Sequence, residues 1–151
     1  LIRSGLVRGI KYPQHKIVIL GVYDGSSFPG TDKLSMAVQP KAIEFLKAMK
    51  QLYNDWTVIF EGDRLFNQSF LADSQTVVDS LICVVLSVAE NEQQRRFRER
   101  GSNQPEAFIR GRRTKISRIC AAFEHQIWYN ESSWDMKKNT KQLAGLCGAG
   151  K

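Results

Sequence analysis

The sequence predicts a three-layer α/β domain built on a short parallel sheet of four to five strands. Three observations carry that reading. The runs "KIVIL", "WTVIF" and "SLICVVLSV" are continuously apolar rather than alternating, as in strands covered on both faces. Each is followed by a segment of helical length, and strands separated by such helices pair in parallel through right-handed crossovers. A length of 151 residues, 42% hydrophobic and 25% charged, suits one soluble domain rather than two.

Taken in order, residues 1–15 ("LIRSGLVRGIKYPQH") are mixed in pattern and read as an amino-terminal extension with at most a short turn or strand. Ile17 to Leu20 forms the first strand. After a Gly-rich loop, Ala42, Ile43, Leu46 and Met49 fall at helical spacing, which predicts a helix over 39–53 with Pro40 tolerated in its first turn. "WTVIF" is the second strand and ends in the polar cluster Glu61, Gly62, Asp63, Arg64. Helices are expected over 65–78, 90–100 and 104–124, the last with Phe108, Ile116, Ile119 and Phe123 roughly on one side. "SLICVVLSV" and "QIWYN" supply the third and fourth strands. A closing helix over 132–146 takes Ser132 or Ser133 as its cap. Trp56, Trp128 and Trp134 are expected to anchor core at element ends. No repeat, low-complexity tract or linker divides the chain, so residues 1–151 read as one domain.

Cys83, Cys120 and Cys147 are odd in number, widely spaced and set among apolar neighbours, which fits reduced core thiols better than zinc ligation or a disulfide framework. His15 and His125 lack partner spacing and receive no metal or catalytic role. No apolar stretch reaches the roughly 18 residues of a membrane span, and the amino end lacks a leader pattern, so no membrane partner and a cytoplasmic setting are expected. The net charge of +7 is localised: nine Lys or Arg face three Glu between Asn91 and Arg118. Such a concentration points to a polyanionic partner, either nucleotide phosphates or a nucleic-acid backbone.

Ligands of open parallel sheets collect beyond the carboxyl ends of the strands. The loop "GVYDGSSFPGTDKLS" follows the first strand and "EGDR" follows the second, so the two polar clusters are expected to meet. Gly25 and Gly30 have the glycine spacing of G-x-x-x-x-G-K-[ST], but Thr31 and Asp32 stand where Lys and Ser or Thr belong, and Lys33 comes two residues late. A phosphate cradle and a structural turn both remain open for this loop. Thr31 or Ser35 has the hydroxyl a Mg²⁺ would need. Asp32 sits well beside phosphate only if it holds a metal, caps the helix or meets a cation. Glu61 or Asp63 is placed to orient a hydrated Mg²⁺ or to take the proton of an attacking hydroxyl, with helix capping by Asp63 as the plainer reading. The stretch "ENEQQRRFRERGSNQPEAFIRGRRTK" has glycines at 101 and 111, the pattern of a basic lid whose guanidinium forks close over phosphate, or of an ordinary charged helical pair.

In order and spacing, "KIVILGVYDGSSFPGTDKLS", "VIFEGDRL", "LICVVLSVAENEQQRRFRERG" and "IWYNES" resemble the P-loop nucleotide-kinase superfamily over about residues 16–147. Within that span, "YDGSSFPGTDKLSMAVQP" and "FEGDRLFNQSFL" are similar to the bacteriophage kinases of thymidine hypermodification, which phosphorylate 5-hydroxymethyluracil in DNA. The resemblance implies a P-loop NTPase-like kinase fold with a basic helical lid over about 91–118, ATP and Mg²⁺ as cofactors, and host cytoplasm as the setting if the chain is phage-encoded. It implies that ATP phosphates lie against Asp24, Gly25, Ser26, Ser27, Gly30, Thr31, Asp32, Lys33, Leu34 and Ser35, with Lys33 as the phosphate cation. Thr31, Asp32 and Asp63 would be the metal positions, and Glu61 or Asp63 would act on the substrate hydroxyl. Arg64 would contact substrate, while Arg96, Arg100 and Arg112 would steady the transferred phosphoryl group. A base extruded from DNA would find Phe28, Phe66 or Phe70 to stack on. Two alternatives accompany this expectation: a kinase of free nucleosides or nucleotides, and a degenerate P-loop module that binds nucleic acid without turnover. The oligomeric state is not assigned.

Overall fold

In the computed structural model, which describes residues 1–26 and 29–148, the chain opens with a β-hairpin. Strand β1 (Ile2–Ser4) pairs antiparallel with β2 (Val7–Tyr12), and β2 pairs antiparallel with β3 (Ile17–Leu20). The stretch read as an extension is therefore two strands of the sheet. Its connection explains the direction: β2 and β3 are joined by the three-residue 3₁₀ turn Pro13–His15, closed by Lys16 in a left-handed conformation (φ 54°). Such a turn reverses the chain, whereas a parallel crossover takes a dozen residues or more. Only β4 (Thr57–Ile59) joins β3 in parallel, across helix α1 (Val38–Leu52), giving the order β1-β2-β3-β4.

The sequence thus foresees the α/β class but not the sheet. In place of one parallel sheet there is a mixed four-stranded sheet and a separate parallel pair, β5 (Cys83–Ser87) with β6 (His125–Tyr129). The chain clusters into two units, Leu1–Leu81 with Cys147 and Gly148, and Ile82–Leu146.

The first unit has the larger core. Val38, Ala42, Leu46 and Met49 recur along one stripe of α1 and meet Val7, Val18 and Leu20 from the sheet, with Leu34, Leu65 and Phe70 beneath the loops. Pro40 lies in the first turn of α1, where an amide has no intrahelical partner to lose. Phe60 and Phe70 meet edge to face at 5.4 Å. Gly9 is required by packing, since a side chain there would begin 2.5 Å from the Ile19 carbonyl oxygen on the neighbouring strand. Helix α2 (Gln68–Gln75) is shorter than expected because residues 63–65 form a turn and Asn67 then caps the helix, its side chain accepting from the Phe70 amide at 3.0 Å.

The second unit contains α3 (Glu90–Glu99), α4 (Glu106–Ala122) and α5 (Ser133–Leu146) around the β5–β6 pair. Gly101 (φ 63°) ends α3: its amide bonds the Arg98 carbonyl at 3.0 Å, and the Ser102 amide bonds that of Phe97 at 2.9 Å. Gly111, expected to break the next helix, lies inside a continuous α4. A helical glycine costs only about 1 kcal/mol against alanine, which a helix of 17 residues absorbs. Ser132 caps α5 reciprocally, its hydroxyl accepting from the Asp135 amide at 3.1 Å while the Asp135 carboxylate accepts from the Ser132 amide at 3.0 Å. Cys83, Ile119, Phe123 and Trp128 are buried, but Phe108, Ile116 and Trp134, expected to pack inward, are exposed. The three cysteines are free thiols, and burial pushes those of Cys83 and Cys147 up. Among the described residues, no helix is long and apolar enough to cross a membrane.

Candidate functional site

The loop after β3 begins at Gly21 (φ 131°), where a side chain would begin 2.5 Å from the Gly30 carbonyl carbon. That close approach lets Val22 and Gly30 exchange both backbone hydrogen bonds, at 2.9 and 3.0 Å. The loop is therefore a hairpin pinched at its mouth. Within it, Asp24 accepts hydrogen bonds from the Ser26 amide and hydroxyl and, at 2.8 Å, from the Lys33 ammonium. The Lys33 and Ser26 bonds hold the Asp24 carboxyl far below the usual carboxylate range. Gly25 (φ 78°) sits at the exposed tip. Ser27 and Phe28, also candidates, lie outside the described residues.

Gly30 adopts φ 102° and ψ −153°, a region open essentially to glycine alone. The absent side chain leaves a bare Cα face, and the Glu61 carboxylate lies over it: a Cβ there would be 1.8 Å from Glu61 Oε1. Thr31, wholly buried, donates both its amide (3.2 Å) and its hydroxyl to the Glu61 carbonyl. Gly62 (φ 102°) allows the return approach, its missing side chain leaving room for Thr31 Oγ1 and Asp32 Oδ1. Asp32 Oδ1 then accepts from the Arg64 amide at 3.0 Å, and Arg64 Nη2 donates to the Asp32 carbonyl at 3.2 Å. The Arg64 carbonyl accepts from Gln39 Nε2 (3.0 Å) and Asn67 Nδ2 (3.2 Å), which ties the turn to α1 and α2. Arg64 Nε is buried without a hydrogen-bond partner. The two polar turns foreseen past the first two predicted strands, here β3 and β4, therefore meet, residue against residue, within one unit.

Several predicted residues are differently placed. Lys33 lies in the 3₁₀ turn Thr31–Lys33 and faces Asp24. Leu34 is core, and Ser35 caps the next turn by accepting from the Ala37 amide at 3.2 Å. Helix α1 starts at Val38, so the glycines do not open directly onto a helix N-terminus. Phe66 is half-buried and Phe70 is core. Asp63 is half-buried in the same turn as Glu61 and Arg64. In the second unit, Arg96 donates to Glu92 at 2.7 Å and to the carbonyls of Asn130 (2.7 Å) and Glu131 (3.1 Å). Arg100 stacks over Phe97 at 5.7 Å and Arg112 over Phe108 at 5.1 Å.

Sequence reasoning missed Tyr23. Its hydroxyl donates to the Leu20 carbonyl at 3.3 Å, and burial, then the Glu61 and Tyr12 charges, raise its pKa. The signal available was its position in the loop that follows β3.

The bare Cα face of Gly30 lets the Glu61 carboxylate approach the backbone closely, while the Gly30 amide itself is donated to the Val22 carbonyl at 3.0 Å. The fit to a Mg²⁺–nucleotide is poor. The Thr31 hydroxyl is engaged by a carbonyl and Lys33 by Asp24, and among the described residues no three His, Cys, Asp or Glu side chains gather as a metal cluster. Compared with protein-family models, with curated proteins and with solved structures, the chain matches none.

Proposed function

We propose that the first unit is a phosphotransferase site acting on an alcohol group, with the hydroxymethyl group of 5-hydroxymethyluracil in DNA as the acceptor. One observation carries the reading: a carboxylate from the turn after β4 lies on the bare Cα face of Gly30 in the loop after β3. Phosphoryl transfer is mostly positioning and charge stabilisation, and needs an anion-accepting backbone beside a group that takes a hydroxyl proton. The Gly30 amide is taken by the Val22 carbonyl, so what Gly30 offers is room for close approach of a phosphate oxygen, and the Glu61–Asp63 turn offers the group that takes the proton. In this reading Glu61 yields the Gly30 face to a phosphate oxygen. The donor in this reading is ATP, and no step is assigned to Mg²⁺, because the Thr31 hydroxyl and Lys33 are already engaged.

The test is transfer of labelled phosphate from ATP to hydroxymethyluracil DNA, set against the free nucleotide. Label in DNA that is abolished by Asp63→Asn or Glu61→Gln supports the proposal. Label only in the small molecule replaces it with a kinase of free nucleosides or nucleotides. A second reading, nucleic-acid binding without turnover, is favoured by the Lys33–Asp24 pair and the engaged Thr31 hydroxyl. Salt-sensitive DNA binding with no transfer would select it.

A further inference from the structure

We propose that the unit Ile82–Leu146 is a platform for unpaired nucleic acid, with arginines of α3 and α4 on the phosphates and Phe108 and Trp134 stacking on the bases. The proposal rests on the reading above only for the class of partner, and needs no phosphoryl transfer.

Charge is the first argument. Twelve Lys or Arg face seven Asp or Glu between Ile82 and Leu146, so this unit holds most of the net positive charge. Part of that charge is internally neutralised: Arg95 and Arg96 pair with Glu92, Arg110 with Glu106, and Arg113 with Glu90. Arg98 and Arg118 make no ion pair among the described residues and stay available to an external anion. Neutralising phosphates releases condensed counterions, which gives affinity without sequence preference.

The exposed rings are the second argument, and they decide the kind of nucleic acid. The unit's buried apolar side chains are Cys83, Ile119, Phe123 and Trp128, yet Phe108 is 47% exposed and Trp134 67% exposed. Each has a cation one helical turn on: Arg112 lies 5.1 Å from the Phe108 centroid and Lys138 5.4 Å from that of Trp134. Arg113 of α4 donates to Gln93 of α3 at 3.1 Å. Aromatic faces with cations held beside them suit bases whose own faces are free. A duplex hides its base faces and would engage the cations alone.

Fluorescence anisotropy with a labelled 20-mer oligothymidylate and a hairpin duplex, in the absence of ATP, tests this. Single-strand affinity is expected to exceed duplex affinity. Phe108→Ala and Trp134→Ala should each lower the single-strand affinity about tenfold and leave the duplex unchanged. Arg98→Gln and Arg118→Gln should weaken both, each reducing the single-strand salt slope by about 0.7. Phe108→Leu, which keeps an apolar side chain without a ring face, should behave as Phe108→Ala if stacking is the cause. Equal single-strand and duplex affinity, ring variants without effect, or no binding would each overturn the proposal. So would a dimer in sedimentation that Trp134→Ala dissociates, because the rings would then serve a second copy of the chain. Unmodified DNA without a phosphate donor keeps this outcome separate from that of the transfer assay.

Discussion

Replacing Gly30 by alanine tests the construction of the site at its narrowest point. Two penalties follow from the structure. At φ 102° and ψ −153° a residue with a Cβ is held in a sparsely populated region, which costs about 1–3 kcal/mol. The new methyl would also lie 1.8 Å from Glu61 Oε1, but Glu61 is exposed and its carboxylate can rotate away, so this contact adds only some tenths. The sum is about 2 kcal/mol, nearly all from the backbone. For a unit of this size that corresponds to a fall in Tm of roughly 10 °C. Thermal and urea unfolding would measure it, with the urea midpoint moving and the m-value unchanged. Because the steric share is small, Glu61→Ala in the Gly30→Ala background should recover less than about 0.5 kcal/mol. Gly25→Ala is the control: at φ 78° with nothing within 4 Å of its Cβ, it should cost about 1 kcal/mol. A Gly30→Ala protein melting within about 2 °C of the parent would refute the positive-φ backbone conformation of Gly30.

Two further outcomes follow. Asn67→Ala removes both the cap on the Phe70 amide and a donor to the Arg64 carbonyl, and should cost about 1–2 kcal/mol, read as faster hydrogen exchange at Phe70. Glu92, hydrogen-bonded by Arg95 and then Arg96, has its pKa lowered to about 2, so an NMR titration should find its midpoint there. A depressed folded pKa means that the contribution of this cluster is complete above the ordinary value of 4.5 and lost as pH falls toward 2, and Glu92→Gln should remove that acid dependence.

Helix positions were readable because their signals are local. The stripe Val38, Ala42, Leu46, Met49 announces α1, Gly101 announces the end of α3, and Ser132 with Asp135 announces the start of α5. Strand partners were not, because pairing depends on distant segments: nothing in "LVRGIKY" states that Gly9 must lie against Ile19, or that Cys83 pairs with His125 rather than joining the first sheet. For the site, "GTD" and "EGDR" were readable as polar turns and their meeting followed from their positions after neighbouring strands. The partners inside it were hidden, since Lys33 and Asp24 find one another only once the Val22–Gly30 bridge folds the loop back. The burial of Phe123 and the exposure of Phe108 likewise depend on which face of α4 meets the β5–β6 pair.

The Val22–Gly30 bridge makes the intervening stretch a removable cassette. With its two ends stitched together, the span can be exchanged or lengthened at little entropic cost, about 0.6 kcal/mol for each doubling, while Thr31 keeps its seat against Glu61. Sequence at the tip can then change without disturbing the Thr31–Glu61 floor.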